Sequence, residues 1–397
     1  MNKGTRPDQF FETDAAAAKR ERQAAKAGNT NGSPIVLKSK ILGAIADPSN
    51  PTSVLVAESA GSVRRVNVET GDTKQVYRGP SAPVTCIAVG GSGNQTIFAG
   101  SWDKDIWSWN AVSKTVGRKF SGHSDFVKAI VCTKLGGKDI LVSGGADKKI
   151  MVWDAETGKR LHVIQDQVVS MMAIQDLSID PEASTPDEMV LASASSDPHI
   201  RRWRIRLDSV EQIVEDAPEA PGTTRPTILE HETTVYKLAF DVHGDEADLW
   251  TASGDGSAKC LSRAKGFTTD DTINHGDHVR AIAFTEQWLV TAGRDEDVKV
   301  WDRATGKLYC ALEGHYDEVT DLVSLAGSPG EGTRLVSVSI DGTVRVWSLD
   351  KGSLDKFIQE QEDKANGVEK PVVVEKAPEG LMTAEEEDEL AALMDED

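Results

Sequence analysis

The chain has 397 residues and a formal net charge of −20 at pH 7, with 64 acidic against 44 basic side chains. So acidic a chain is a poor general binder of nucleic acid, because affinity for phosphates depends on clustered lysine and arginine, and a nucleic-acid contact through a local basic patch is not favoured. No apolar run approaches the roughly 20 residues needed to span a bilayer and no leader pattern begins the chain, so we expect a soluble intracellular protein of the cytoplasm, the nucleus or both.

Residues 1–34 are predicted to form an N-terminal extension with a short helix. Asp14 is a suitable N-cap, the alanines and charged residues that follow favour a helix, and Gly28 is a suitable C-terminal stop. The helix has almost no apolar face, which favours a partly formed, solvated extension. The alternative is docking through Phe10 and Phe11 when a partner supplies a groove.

Three segments further along the chain carry the same four residue types at similar spacing. In each copy an Asp follows a Ser or Thr by four positions, a Trp follows the Asp by six, and a His precedes them at a variable distance. The copies are His123, Ser143, Asp147 and Trp153, then His275, Thr291, Asp295 and Trp301, then His315, Ser337, Asp341 and Trp347. Repetition at about 40–45 residues, with Gly-His at the start and Trp-Asp at the end, is typical of a propeller.

These motifs resemble the WD-repeat β-propeller family, in which each unit builds one four-stranded blade. Incomplete copies follow the same frame: His231, Thr251 and Asp255 with Leu261 in place of the Trp, then Ser193, Asp197 and Trp203, then Asp103 and Trp109. A weaker unit covers residues 41–68. The resemblance implies an all-β, seven-bladed propeller of four-stranded antiparallel blades over residues 35–350, with flexible extensions at both ends.

The last unit has no obvious fourth strand after Trp347, whereas a strand-like segment, residues 35–39, precedes the first unit. We infer that this N-terminal strand completes the last blade, since closure removes the exposed edges of an open sheet. The alternative fourth strand is residues 353–359.

Two segments rich in proline, acid and small polar residues interrupt the fourth unit, at 181–188 and 207–227, and are predicted to be surface loops. In the family topology, the loop between the first two strands and the loop between the last two lie on the same face. We therefore expect both insertions on the bottom of the ring. They are interpreted as tolerated insertions, with a partner-specific surface as the alternative.

Residues 351–397 contain too few large apolar side chains to fold alone and are predicted to be an acidic disordered tail. The tail ends in a helix signal, because Thr383 and Glu386 form a capping-box pattern and Leu390, Leu393 and Met394 fall on one helix face. A short amphipathic helix that binds an apolar groove of a partner and a merely solubilising tail are equally compatible with this pattern.

A His, a Ser and an Asp that recur together suggest a hydrolase. A catalytic triad, however, needs one exposed nucleophile with an oxyanion hole, whereas this set occurs three times with Thr substituting for Ser. In the WD-repeat family the set is a buried hydrogen-bond network within a blade. No nucleotide, zinc-protease or esterase motif is present, and the cysteines lack metal-ligand spacing. We expect no catalytic residues, no cofactor and no metal site.

The resemblance also indicates a binding surface. We call the repeated set of His, Ser or Thr, Asp and Trp the tetrad. In the family, the top face is built from residues that flank the first-strand valine and from the residue before the tetrad Asp. In this chain those positions are enriched in basic and aromatic side chains: Trp102, Phe126, Lys128, Tyr236, His278, Arg280 and Arg294. Such a surface should prefer an acidic or phosphorylated peptide.

The sequence therefore predicts a non-catalytic scaffold or adaptor in an intracellular multiprotein complex, with a monomeric propeller that binds other proteins. One alternative is a substrate receptor of a cullin-type ubiquitin ligase, suggested by a partial W-D-x-R motif at residues 203–206. The other is an RNA-associated assembly factor of ribosome or mRNA processing. The fold serves many pathways, so the resemblance does not identify the partners.

Overall fold

The structure is a computed structural model that describes residues 14–166, 170–216, 222–243, 246–327 and 332–366. Phe10, Phe11, Leu390, Leu393 and Met394 lie outside these ranges, and the predictions made for them stay predictions. Within the described part of the chain, neither helix is long and apolar enough to cross a membrane.

The described residues form seven antiparallel blades of four strands each, with one further strand paired to the fourth blade and one separate two-stranded sheet, which confirms the predicted fold class. The chain begins with helix α1 (Asp14–Lys26) and strand β1 (Ile35–Val36). Blade 1 contains β2 (Ile41–Ala46), β3 (Ser53–Glu58), β4 (Ser62–Asn67) and β5 (Gln75–Arg78). Blade 2 contains β6 (Val84–Gly90), β7 (Thr96–Ser101), β8 (Asp105–Asn110) and β9 (Phe120–Ser121). Blade 3 contains β10 (Val127–Leu135), β11 (Lys138–Gly145), β12 (Ile150–Asp154) and β13 (Arg160–Ile164).

The remaining blades follow the same order. Blade 4 contains β14 (Ile174–Ile179), β15 (Met189–Ser195), β16 (His199–Ile205) and β17 (Val210–Ile213), and is followed by β18 (Glu215–Asp216), β19 (Thr224–Arg225) and β20 (Ile228–Leu229). Blade 5 contains β21 (Val235–His243), β22 (Glu246–Ser253), β23 (Ser257–Ser262) and β24 (Thr268–Asn274). Blade 6 contains β25 (Val279–Phe284), β26 (Trp288–Gly293), β27 (Val298–Asp302) and β28 (Lys307–Leu312). Blade 7 contains β29 (Val319–Leu325), β30 (Arg334–Ser339) and β31 (Thr343–Ser348).

The ring closes through the N-terminal strand. β1 pairs antiparallel with β31, with Ile35 opposite Val344 and Val36 opposite Thr343, as we inferred from the sequence. The first strands of neighbouring blades contact one another all round the ring, including β2 with β29. The alternative fourth strand, residues 353–359, is wrong because these residues belong to helix α2 (Lys351–Ala365).

The hydrophobic core lies between blades rather than inside one layer. One cluster joins Val142 of blade 3 to Leu177 of blade 4, and another joins Val54 of blade 1 to Val336 of blade 7. All six residues of the second strand β3 are buried, because this strand has neighbours on both faces. Each fully buried Val, Leu or Ile contributes about 1.5–3 kcal/mol, so the blades are stable only as a stacked ring.

Every first strand carries a β-bulge at its start. The register against the second strand shifts between Ile41 and Gly43, and at the equivalent positions of the other blades. A bulge bends the strand and redirects a side chain. The skipped residues form what we call the mouth ring: Leu42, Thr85, Lys128, Gln175, Tyr236, Arg280 and Thr320. The residues that follow them form the inner ring: Gly43, Cys86, Ala129, Asp176, Lys237, Ala281 and Asp321.

The three complete tetrads form one hydrogen-bond chain each. In blade 3 the Trp153 indole N–H donates to Ser143 Oγ (2.9 Å), Ser143 Oγ lies 2.8 Å from His123 Nε2, and His123 Nδ1 lies 2.9 Å from Asp147 Oδ1. With a neutral imidazole the hydroxyl donates to one ring nitrogen and the other ring N–H donates to the carboxylate. The indole N–H, the hydroxyl, both imidazole nitrogens and the carboxylate of this tetrad thereby all have partners inside the blade.

Blades 6 and 7 repeat this chain with the residues predicted for them. In blade 7 His315 lies 2.8 Å from Ser337 and 2.9 Å from Asp341, and Trp347 donates to Ser337. In blade 6 the imidazole is turned around, so that Nδ1 of His275 faces Thr291 and Nε2 faces Asp295, while Trp301 still donates to Thr291. Blade 5 keeps His231, Thr251 and Asp255 in the same arrangement without an indole.

We expect Asp147→Ala, Asp295→Ala and Asp341→Ala each to lower the free energy of unfolding by about 1–3 kcal/mol, because each leaves a buried imidazole N–H without its acceptor. Burial opposes ionisation of Asp147, but the hydrogen bonds from His123 and from the backbone N–H of Ser124 outweigh it, so its pKa lies below 3.8. This stabilisation is therefore present above pH 3.8 and is lost as the pH falls through the lowered pKa.

Urea unfolding at pH 7 and at pH 3 measures these losses, with the exposed Asp270→Ala as the matched control. Unchanged unfolding of all three tetrad variants at pH 7 would contradict the stabilising role of the tetrads.

Blade 4 differs from the prediction at its outer edge. The segment 207–227 is not one loop between the last two strands, because β17 within it pairs with residues 202–205 of β16 and β20 pairs with residues 199–200 of the same strand. The hairpin formed by β18 and β19 lies between β17 and β20 in chain order. The second insertion thus interrupts the outer strand of the blade, and Arg225 in its hairpin donates to the carbonyls of Gly266 and Phe267 in blade 5. The loop at 181–188 joins the first two strands of the blade, as expected.

Arginines of β16 connect the two insertions. Arg202 donates to Asp180 (2.8 Å) at the base of the first insertion and to Glu215 (2.6 Å) at the base of the hairpin. Arg204 and Arg206 both pair with Glu188 of the first insertion. The two insertions are therefore attached to the blade through its third strand.

The N-terminal helix makes specific contacts with the propeller, contrary to the expectation of a solvated extension. Arg22 and Lys26 pair with Glu296 at 2.8 and 3.2 Å, and the Glu296 side chain is only 1% exposed. These contacts place α1 against the turn between β26 and β27. The linker that follows is also fixed, because the Arg345 guanidinium donates to the carbonyls of Asn29 and Asn31.

Helix α2 occupies the start of the segment that was predicted to be a disordered tail. It runs from Lys351 to Ala365 and carries Lys364 in its last turn, where a cation interacts favourably with the helix dipole. Residues 351–365 are therefore helical although they contain few large apolar side chains.

Candidate functional site at the mouth of the central channel

The two rings of side chains enclose a cavity of about 520 Å³ at the centre of the propeller. The first strands begin at the same end at which the turns between second and third strands lie, and we call this end the top face. The mouth ring therefore surrounds the opening of the channel on the top face. The inner ring lies one residue further along each strand.

The inner ring is satisfied by its own contacts. Lys237 Nζ lies 3.1 Å from Asp321, Asp321 accepts from the backbone N–H of Ala44, and Asp176 accepts from the N–H of Leu238. Burial opposes the charge on Lys237, but the carboxylates of Asp321 and Asp176 raise its pKa above 10.5. Burial also raises the pKa of Asp176, against the effect of Lys237. These contacts tie blades 1, 4, 5 and 7 together across the channel.

Lys128 is the unusual member of the mouth ring. The only acceptor that the described residues give its ammonium is the neutral amide oxygen of Gln175, at 2.6 Å, and none of their carboxylates lies within 4.0 Å. Burial and then the nearby charge of Arg280 lower the pKa of Lys128 to about 8. A partly buried cation without a counterion is costly, so an incoming anion would be favoured at this point.

Arg280 and Arg294 have acidic partners. Arg280 Nε lies 3.1 Å from Glu318 and its guanidinium stacks 4.3 Å from the Tyr236 ring centroid, and Arg294 Nε lies 3.0 Å from Asp277. The positive field expected from the sequence is therefore weaker than the count of basic residues suggested. Of Lys128, Arg280 and Arg294, it is Lys128 whose positive charge is not balanced by a nearby carboxylate of the described residues.

Two aromatic side chains stand beside the mouth. The rings of Trp102 and Phe126 stack with centroids 4.9 Å apart and planes inclined by 14°. Both remain exposed, Trp102 at 43% and Phe126 at 38%. Large exposed aromatic surfaces of this kind commonly mark interaction sites.

The structure brings together most of the predicted top-face residues. Trp102, Lys128, Tyr236 and Arg280 line the cavity, and Phe126 joins them through its stack on Trp102. The His278 ring lies 6.4 Å from that of Tyr236. Gln175 and the charged inner ring were not predicted from the sequence, although both lie at the second and third positions of the first strands, where they could have been found by counting.

The tetrad hydroxyls offer no access to a substrate. The side chains of Ser143, Thr291 and Ser337 are 0% exposed and are already bonded to Trp and His. All four cysteines are free thiols, with Cys310 buried and the others partly buried. Among the described residues, no three His, Cys, Asp or Glu side chains are arranged to hold a metal ion.

The model of the WD domain, G-beta repeat, matches residues 71–110, 114–154, 269–302 and 306–348. An uncharacterized WD repeat-containing protein of Schizosaccharomyces pombe is 28% identical over 87% of this chain and 89% of its own length. The nuclear distribution protein PAC1 of Arthroderma benhamiae is 25% identical over 75% of this chain and 56% of its own length. The chain belongs to the WD-repeat family. A guanine nucleotide-binding protein subunit beta of Solanum tuberosum is also 25% identical, over 75% of this WD-repeat chain and 77% of its own length.

The matched WD repeats are offset by one strand from the blades. Residues 114–154, for example, run from β9, the outer strand of blade 2, to β12, the third strand of blade 3. The last repeat accordingly ends with β31 and leaves blade 7 without an outer strand, which β1 supplies. As a WD-repeat propeller, the protein is a protein-interaction scaffold in general terms.

Proposed function

We propose that this WD-repeat propeller is a non-catalytic adaptor that binds an acidic or phosphorylated peptide of a partner protein at the mouth of its central channel. The observation that carries the proposal is Lys128, whose ammonium lacks an acidic partner among the described residues and lies near the charge of Arg280. The stacked Trp102 and Phe126 supply apolar contact area beside it. Charge-assisted hydrogen bonds to a carboxylate or phosphate are the strong contacts that such a lysine offers.

A pull-down from cell extract tests the proposal. The baits are the full chain, the chain ending at Asp350, and the full chain with Lys128→Glu/Arg280→Glu. The matched control is Lys134→Glu/Lys138→Glu, which makes the same change of charge at the opposite end of the β10–β11 hairpin, where both lysines are exposed at 68% and 54%. We expect the mouth variant to recover at least tenfold less of the main partners than the wild type, and the control to recover the same amount.

The other outcomes decide between the alternatives. Recovery of cullin components by every bait would favour the ligase receptor, although Arg204 and Arg206 of its partial motif already pair with Glu188. Ribosomal or spliceosomal components lost after nuclease treatment would favour the RNA-associated factor. Identical partners for the mouth variant and the wild type would refute binding at the mouth.

A further inference from the structure

The aromatic stack is a fixed platform that spans two blades. The backbone N–H of Trp102 donates to the Pro83 carbonyl in blade 2, and the carbonyl of Phe126 accepts from the N–H of Ala146 in blade 3. Main-chain hydrogen bonds therefore fix the backbone of both residues, and the two rings stack on each other. A preordered aromatic surface loses little conformational entropy when a ligand covers it.

The platform and the lone cation are close neighbours along one strand. Phe126 precedes Lys128 by two positions, and Val127, the first residue of β10, stands between them next to the bulge. Trp102 and Lys128 also line the same cavity. An extended ligand that contacts both must therefore place an apolar and an anionic side chain at a matching distance.

The net charge of −20 restricts the kind of anion. A polyanion such as a nucleic acid or a long acidic run would bring many charges near a protein of the same sign. A single anionic side chain needs only Lys128, with Arg280 held by Glu318 at its side. The mouth is thus better matched to one anion beside an apolar contact than to a dense line of negative charge.

We propose that the partner segment is an extended peptide with a large apolar side chain, which covers the Trp102–Phe126 stack, and an anionic side chain two residues away, which replaces Gln175 as the partner of Lys128. This inference rests on the proposed function and narrows it to a two-part motif. The anion can be a carboxylate or a phosphate. Each part should contribute separately, because the platform and the ammonium are different groups.

Binding of the carboxylate form should depend on pH. The anion requires charged Lys128, whose pKa of about 8 in the free protein sets the point at which affinity begins to fall as the pH rises. Among the groups that face Lys128, arginine stays charged, burial raises the pKa of Cys86 to about 12, and Lys237 has a raised pKa. Between pH 7 and 9 the two basic side chains therefore stay cationic and Cys86 stays a neutral thiol. Three acids line the same cavity: Glu318 pairs with Arg280, Asp321 pairs with Lys237, and burial raises the pKa of Asp176. Asp176→Asn controls for the titration of Asp176.

Fluorescence anisotropy with labelled peptides and the full chain tests the motif. The peptides share glycine-serine flanks and differ in the centre: Phe-Ala-Glu, Phe-Ala-phosphoserine, Phe-Ala-Lys, Ala-Ala-Glu and Phe-Ala-Ala-Ala-Glu. We expect the best of the first two to bind at least tenfold more tightly than the other three at pH 7. With Trp102→Ala, Phe-Ala-Glu should bind no more tightly than Ala-Ala-Glu. With Lys128→Gln, Phe-Ala-Glu should bind no more tightly than Phe-Ala-Lys.

Affinity for Phe-Ala-Glu should fall up to tenfold per pH unit above pH 8 in the wild type and in Asp176→Asn, and should lose this dependence in Lys128→Gln. Equal binding of Ala-Ala-Glu and Phe-Ala-Glu would refute the two-part motif while leaving anion binding at the mouth intact. Equal binding of the Lys and Glu peptides, or no binding of any peptide at millimolar concentration, would refute the motif. The proposed function fails separately, through a pull-down that the mouth variant leaves unchanged.

Discussion

Deletion of residues 1–36 should destabilise the propeller by at least 3–5 kcal/mol, which is about the cost of leaving a buried charge without partners. The side chain that loses its partners is Arg345, which is 1% exposed and donates to the carbonyls of Asn29 and Asn31. The deletion also uncovers the face of Trp347 against which Gly32 lies and opens the edge of β31. An open edge adds a tendency to aggregate.

A shorter deletion is the matched control. Removing residues 1–28 eliminates α1 and its ion pairs with Glu296 but keeps the linker and β1. Arg22 is 55% exposed but Glu296 only 1%, so loss of these pairs should cost about 1–3 kcal/mol, less than the longer deletion. Adding Arg345→Met to the longer deletion should restore part of the lost free energy of unfolding, because it removes the charge that the deletion leaves without partners.

Thermal and urea unfolding of the three variants beside the full chain measure these differences. Equal melting temperatures for the two deletions would show that β1 contributes nothing to closure.

Arg201→Met should cost about 3–5 kcal/mol, more than any of the tetrad substitutions. Blade 4 has no tetrad histidine, and Arg201 enters its interior instead. Its guanidinium donates to Asp166 at 2.8 Å and to Ser195 at 3.0 Å, and the side chains of Arg201 and Asp166 are both 0% exposed. Without the arginine, the buried Asp166 carboxylate loses its 2.8 Å ion pair, while the Gln212 amide stays 3.4 Å away.

The double variant Arg201→Met/Asp166→Asn separates the charge from the packing. It removes both charges while keeping a side chain that can bond to Gln212, so it should regain most of the stability lost in the single variant. Urea unfolding of the wild type, both single variants and the double variant gives the coupling energy. A loss below 1 kcal/mol for Arg201→Met would contradict the assignment of this ion pair as the counterpart of a tetrad.

The number of blades and the tetrads could be predicted because the hydrogen-bond chain requires the same residue types at the same spacing in the three blades that carry it, and incomplete copies keep the same frame in others. Closure by β1 could be inferred because the last repeat lacked an outer strand. The split outer strand of blade 4 could not, since a polar segment such as 207–227 reads as a loop whether or not its backbone pairs with β16. Edge strands depend on main-chain bonds that composition does not reveal.

The sequence pattern predicted where the candidate site lies, but it did not predict how the charges within the site are balanced. Counting from the first-strand valine located Lys128, Tyr236 and Arg280, yet the sequence showed no sign that Glu318, from another blade, neutralises Arg280. Docking of α1 was missed for the same reason, because its partner Glu296 is 270 residues or more away in the chain. Ion pairs between distant segments follow from the folded geometry and have no local pattern.

The one-strand offset between repeat and blade has a consequence for biosynthesis. β1 is among the first strands to leave the ribosome, but its partner β31 ends at Ser348. At translation rates of about 5–20 residues per second, the interval is on the order of tens of seconds. During this time six blades can assemble while the nascent N-terminus stays unpaired, so chaperones have a defined early strand to shield until the last repeat emerges.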